Sequence, residues 1–182
     1  TTEKLNITRE RAVDSRLMRQ TSLVCLEALK FCVSVISEEW DTIMSVESKL
    51  RKRLIDTLVH RTKTAAPKYP EVDLRFPKMP GYTRRAIIAD AFGMVKSYRS
   101  NHKNWEETPP MERGAEPKLG LPSRYELTFY DQERKMSCLA DGQIGLKLYN
   151  GQTWNWYYFQ ISPSDAKQIS LLSKTRKMLS PI

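Results

Sequence analysis

The residues best suited to chemistry in this chain are cations at helical spacing. Arg85, Phe92, Lys96, Arg99 and Lys103 recur so that, at about 100° per residue, they share one narrow sector of a helix. A row of Lys and Arg with an aromatic beside it suits a phosphate backbone, because each cation neutralises a phosphate and releases condensed counterions. Arg51, Lys52 and Arg53 form a second basic cluster upstream. Trp154, Trp156 and Tyr158 alternate along one face of a strand, where an exposed ring such as that of Trp154 could stack on a base. The competing reading is that these rings fill the core beneath a sheet, and core is favoured for at least one of the two tryptophans.

The charge is concentrated where the helical cations lie. The 182-residue chain has a formal net charge of +9. Residues 49–68 carry seven Lys or Arg against one Asp, residues 74–104 another seven against one Asp, and residues 167–182 four with no acid. The remainder is net acidic. Clustering of this kind favours a polyanionic partner over a small-molecule substrate. A solvated charged face, which most surface helices carry, is the alternative.

Catalytic patterns are missing from the sequence. It shows no Gly-rich phosphate loop, no Ser/His/Asp arrangement and no His/Glu metal motif. The acidic residues Glu38–Glu39, Glu106–Glu107 and Glu112 read as solvated, so no catalytic or metal-ligating residue is expected. Cys25 and Cys32 lie in an apolar helical pattern and read as buried thiols. His60 and His102 are far from any cysteine, which disfavours zinc. The N-terminus is polar and no apolar run is expected to reach the length of a membrane span. A reducing, cytoplasmic setting without a membrane partner is the expectation.

The elements that must position these residues follow from periodicity. Asp14 caps a helix reaching about Trp40, with Leu17, Thr21, Val24, Ala28 and Val35 on its apolar stripe. A second helix fits 46–61. A third starts near 81–83 and runs to about Trp105, with Ile87, Ala91, Met94, Val95 and Tyr98 on the core side. Eight of the ten prolines fall in 65–80 and 108–122, so no regular element is expected to cross either segment. Arg124 to Ile161 reads as a four-stranded antiparallel meander: Tyr125, Leu127 and Phe129 alternate first, then Met136 and Cys138, then Ile144, Leu146 and Leu148, then Trp154 to Ile161. Asp141–Gly142 and Asn150–Gly151 supply its turns. Ser162 and Pro163 open a last short helix to about Ser173.

Leu127 to Leu139, with Phe129, Tyr130–Asp131, Arg134 and Met136–Ser137, resembles the strand, Asp-x-x-x-Arg, strand passage of TnpB-type proteins. These are transposon-encoded relatives of type V CRISPR effectors. Asp141–Gly142, the apolar alternation, the aromatic strand from Trp154 to Ile161 and Ser180–Pro181–Ile182 follow in that family's order. Met79–Pro80–Gly81 and the helix after it resemble the family's last recognition-lobe helix.

The resemblance implies an α+β fold: a helical recognition region of about three long helices at 11–107, inserted into an antiparallel β-barrel-like wedge made of 1–10 and 122–182, with 108–121 as linker. It implies guide RNA and target DNA as partners, with Tyr82, Thr83 and Arg84 placed to read a short flanking motif and the basic stripe following phosphates. Cleavage in that family belongs to a Mg²⁺-dependent RuvC-like domain after the wedge. No cofactor is therefore expected in this chain, which resembles the binding half of an RNA-guided nuclease. A basic protein-interaction or assembly module without nucleic-acid specificity is the alternative, and a stand-alone nuclease is a third, disfavoured one.

Overall fold

In the computed structural model, residues 3–5, 12–63, 65–129, 134–135, 142–174 and 179–181 are described. The chain runs β1 (Glu3–Leu5), α1 (Ala12–Glu38), α2 (Trp40–Ser45), α3 (Ser48–Val59), α4 (Glu71–Arg75), α5 (Gly81–Glu107), β2 (Arg134–Lys135), β3 (Gln143–Tyr149), β4 (Trp154–Gln160), α6 (Pro163–Lys174) and β5 (Leu179–Pro181). The four helices read from periodicity all form. Two further helices form, α2 directly after α1 and α4 inside the first proline-rich segment, against the expectation that no regular element crosses it. Pro70 sits at the N-cap position of α4, just before the first turn, where a missing N–H costs no intrahelical bond.

The contacts divide the chain into two units. One comprises residues 1–25, 78–84 and 124–182; the other comprises 26–77 and 85–123. The division falls within α1.

In the first unit β3 and β4 pair antiparallel from Gln143↔Gln160 to Tyr149↔Trp154. Their turn forms at Asn150–Gly151. The Asn150 side-chain carbonyl accepts the Gln152 and Thr153 amides at 3.0 and 2.9 Å, and Gly151 takes a φ of +98°, a region L side chains avoid. Ile144, Leu146 and Leu148 are buried with Phe159 and Ile161 beneath Leu17 of α1 and Ile169 of α6. Thr21 couples helix to hairpin: its hydroxyl donates to the Leu17 carbonyl at 2.8 Å and accepts the Tyr149 amide at 2.9 Å. β1 pairs in parallel with β5.

This arrangement corrects the barrel expectation. The chain is mixed α and β, mostly helical, with six helices among the described residues. Its antiparallel sheet is in substance the β3–β4 hairpin, flanked by the two-residue β2, and it does not close. The expected first meander strand is not a strand: between Tyr125 and Phe129 only a single bridge forms, at Phe129. At Tyr125 the backbone meets α1 instead: its carbonyl accepts the Ser22 hydroxyl at 2.6 Å. The expected strand at Met136–Cys138, along with Asp131 and Asp141, lies outside the described residues.

The second unit is all helical. Cys32 and Ile36 of α1, Ile43 of α2, Ile55 and Val59 of α3, and Ile87, Ala91 and Val95 of α5 are buried. Cys25, in the first unit, is buried as well, and neither cysteine is in a disulfide. Asp73 of α4 accepts from the Arg61 amide at 2.8 Å and contacts the His60 ring at 2.6 Å, which ties α4 to the end of α3. Ser15–Glu38 is, contrary to expectation, long and apolar enough to cross a membrane by length and composition, with half of its most apolar window buried. Core duty explains that composition: Leu17 is buried in one unit, and Leu26, Leu29, Val33 and Ile36 in the other.

Candidate nucleic-acid interface

Helix α5 has two faces because its apolar residues repeat at three- and four-residue steps. Ile87, Ile88, Ala91 and Val95 are buried, while Arg85, Lys96, Arg99 and Lys103 are exposed. The last three line one open groove of about 730 Å³ together with Trp40, Tyr98 and His102. Their spacing of three and four residues puts Lys96, Arg99 and Lys103 in a row about 10 Å long, at 1.5 Å per residue.

Trp40 is the residue the sequence reading missed. The periodicity places it only at the approximate end of the first helix. Instead the first turn of α2 carries it towards α5, where its ring stacks on Phe92 with centroids 6.0 Å apart and planes 25° apart. The Arg99 guanidinium stands 5.6 Å from the Trp40 ring centre and donates a long bond of 3.3 Å to the Ser37 carbonyl. Phe92 is thus partly buried as backing for Trp40 and does not lie bare on the basic stripe. The clue available in the sequence was only that Trp40 follows Glu38–Glu39 at a helix end.

Glu39 had been read as solvated, and it is not. It is 8% exposed and accepts hydrogen bonds from Lys68 and, at 2.7 Å, from the Tyr69 hydroxyl. The Lys68 bond, then the Tyr69 bond, hold the Glu39 carboxyl below its ordinary value. The same Glu39 bond raises the Lys68 ammonium and, with burial, pushes the Tyr69 phenol up to about 12. This cluster fixes the backbone next to Trp40.

The remaining predicted residues are dispersed. Lys103 is paired with Glu107 at 3.6 Å across an exposed helical turn, a contact too weak to keep it from a phosphate. Lys52 and Arg53 are exposed on α3, but Arg51 is not presented to solvent in the same way. It donates to the Val46 and Met44 carbonyls at 3.1 and 3.3 Å, satisfying the C-terminal end of α2. None of these three lines the groove. Tyr82, Thr83 and Arg84 are half-buried in the first turn of α5, in the other unit from Arg85.

Trp154 requires a correction. It is 6% exposed at the start of β4, with its ring 5.5 Å from that of Tyr149, so its faces are not open to a base. Its indole N–H has no hydrogen-bond partner among the described residues. Trp154→Phe should therefore leave oligonucleotide affinity within about twofold of wild type, since no stacking platform in the class worth roughly 1–3 kcal/mol is removed. Fluorescence anisotropy of a labelled oligonucleotide checks this, and a tenfold loss would restore Trp154 to the interface.

Among the described residues no group of three or more His, Cys, Asp or Glu is placed to hold a metal ion. The groove offers cations, rings and one carboxylate, Glu106, an arrangement for binding. No curated protein and no solved structure matches the chain. The model of one family, Aq_aa04, matches residues 1–150, most of the length and all of the groove, and the chain belongs to the Aq_aa04 family.

Proposed function

We propose that this protein binds nucleic acid through the Lys96–Arg99–Lys103 face of α5. The observation that carries the reading is that these three cations are exposed and line one groove with Trp40. Binding is by charge and stacking, without chemistry on the ligand. Lys52, Arg53 and Arg85 add to the positive field of the same unit and so to the rate of encounter.

An RNA-guided, TnpB-like role is the specific form of this proposal, with guide RNA and target DNA as partners. It is supported by the order of the sequence segments around Leu127–Leu139 and Trp154–Ile161, and the closed wedge barrel is not part of it. Guide pairing would then supply sequence specificity while the protein follows the backbone.

Titration of a labelled oligonucleotide at rising salt tests the reading. Three phosphate contacts predict that log Kobs falls against log salt with a slope of about −2 or steeper. A purified chain with no affinity for RNA or DNA at 0.05 M salt would mean that its basic faces serve solubility or protein assembly.

A further inference from the structure

The groove has a feature that phosphate binding alone does not use. One wall is a row of cations, and facing it is an aromatic ring already stacked from behind. We propose that the groove takes an unpaired nucleotide, with its base on Trp40 and its flanking phosphates on Lys96, Arg99 and Lys103. This rests on the nucleic-acid reading above and names the form of the ligand.

Three observations carry it. Phe92 backs Trp40 at 6.0 Å, and Glu39, the preceding residue, is held by Lys68 and Tyr69. The ring is therefore set in place before any ligand arrives, and little ordering remains to be done on binding. Next, the Arg99 guanidinium, a flat cation, stands over the Trp40 ring at 5.6 Å, so the ring already receives a planar group. Among the described residues it also donates the long bond to the Ser37 carbonyl, a weak tie that lets Arg99 turn to a phosphate while a base takes its position. Last, a volume of about 730 Å³ lies in the range of clefts that hold molecules the size of one nucleotide.

A paired duplex cannot satisfy this site. Its bases are stacked on one another, and bringing one onto Trp40 requires extrusion from the helix. Duplex binding would use the cations and leave the ring idle. Single strands, loops and frayed ends would use both.

The test compares the full-length chain with Trp40→Leu and Trp40→Phe on a twelve-nucleotide mixed-sequence single strand and on the corresponding duplex. Leucine keeps apolar contact with Phe92 but cannot stack, whereas phenylalanine keeps a ring. Trp40→Leu is expected to weaken single-strand binding about tenfold, leave duplex binding within twofold, and leave the salt slope unchanged because no phosphate contact is lost. Trp40→Phe is expected to retain most of the single-strand affinity. Equal losses on both ligands, no loss on either, or wild-type preference for the duplex would overturn the stacking site while salt-dependent binding kept the basic-face reading intact. No binding of either oligonucleotide by the wild type would overturn both. Circular dichroism melts accompany each variant, and if the Leu variant does not fold the wild-type preference between single strand and duplex still decides the matter: preference for the single strand supports the site and preference for the duplex overturns it.

Discussion

Replacing Lys96, Arg99 and Lys103 together with alanine should weaken nucleic-acid binding by about 100-fold near 0.1 M salt and flatten the salt slope by about 2. Each cation contributes roughly 0.7 to 0.9 to that slope, depending on whether the strand is single or double. Over the tenfold dilution from 1 M to 0.1 M, three such contributions amount to two decades or more in affinity. The fold should survive the change. All three side chains are exposed, and alanine is the best helix former for the positions they leave. The contacts forfeited are the exposed Lys103–Glu107 pair, which contributes little, the long exposed Arg99 bond to the Ser37 carbonyl, and the Arg99–Trp40 contact, at about 0.5–1 kcal/mol. Anisotropy titrations at several salt concentrations, alongside a thermal melt, separate loss of binding from loss of structure.

A second large effect is expected at Glu39. Glu39→Ala should destabilise the helical unit by about 1–3 kcal/mol, because it strips a buried acceptor from the Tyr69 hydroxyl and Lys68. The pH dependence is more diagnostic than the size. The Glu39 carboxyl is depressed by Lys68 first and Tyr69 second, so its contribution is present above the ordinary value of 4.5 and is lost as pH falls through the lower folded value. Lys68 is raised by the same bond, so its contribution is present below 10.5 and is lost as pH rises through its folded value. Tyr69 behaves likewise, with its contribution present below 10.0 and lost as pH rises through about 12. Wild type minus Glu39→Gln should therefore give a melting-temperature difference that is flat from about pH 5 to 10 and shrinks on both sides. A difference that stayed constant across the whole range would show that the ionisation of these groups is not coupled to stability. Because Glu39 precedes Trp40, loosening it should also erode binding at temperatures where the fold persists.

Local pattern explains why some of this was legible. The stripes of α1, α3 and α5 are sequence periodicities, and the basic row at Lys96, Arg99 and Lys103 is one as well, so both could be read off spacing. The β3–β4 hairpin was legible because Asn150–Gly151 specifies its own turn. What was not legible depends on residues far apart in the chain. Glu39 meets Lys68 across 29 positions, and nothing in either neighbourhood distinguishes Glu39 from the solvated Glu38 beside it. Arg51 looks like Lys52 and Arg53 until the carbonyls at the end of α2 are placed within its reach.

The barrel failed for a similar reason. Alternation at Tyr125, Leu127 and Phe129 states which side chains can face a core, but whether the backbone finds a ladder partner depends on competing hydrogen bonds. The Tyr125 carbonyl, for one, is met by Ser22 of α1, 103 residues away in sequence. Trp40 and Trp154 exchanged roles on the same ground. Their sequence contexts say only that each is aromatic, and burial beside Tyr149 or placement in a cationic groove is decided by the tertiary fold.

The central claim is that the α5 face meets phosphates, and the most direct test is the salt slope of wild type set beside that of the Lys96/Arg99/Lys103→Ala variant on one oligonucleotide. The account predicts a wild-type slope of about −2 or steeper that flattens by about 2 in the variant. Identical slopes and affinities for the two proteins would contradict it.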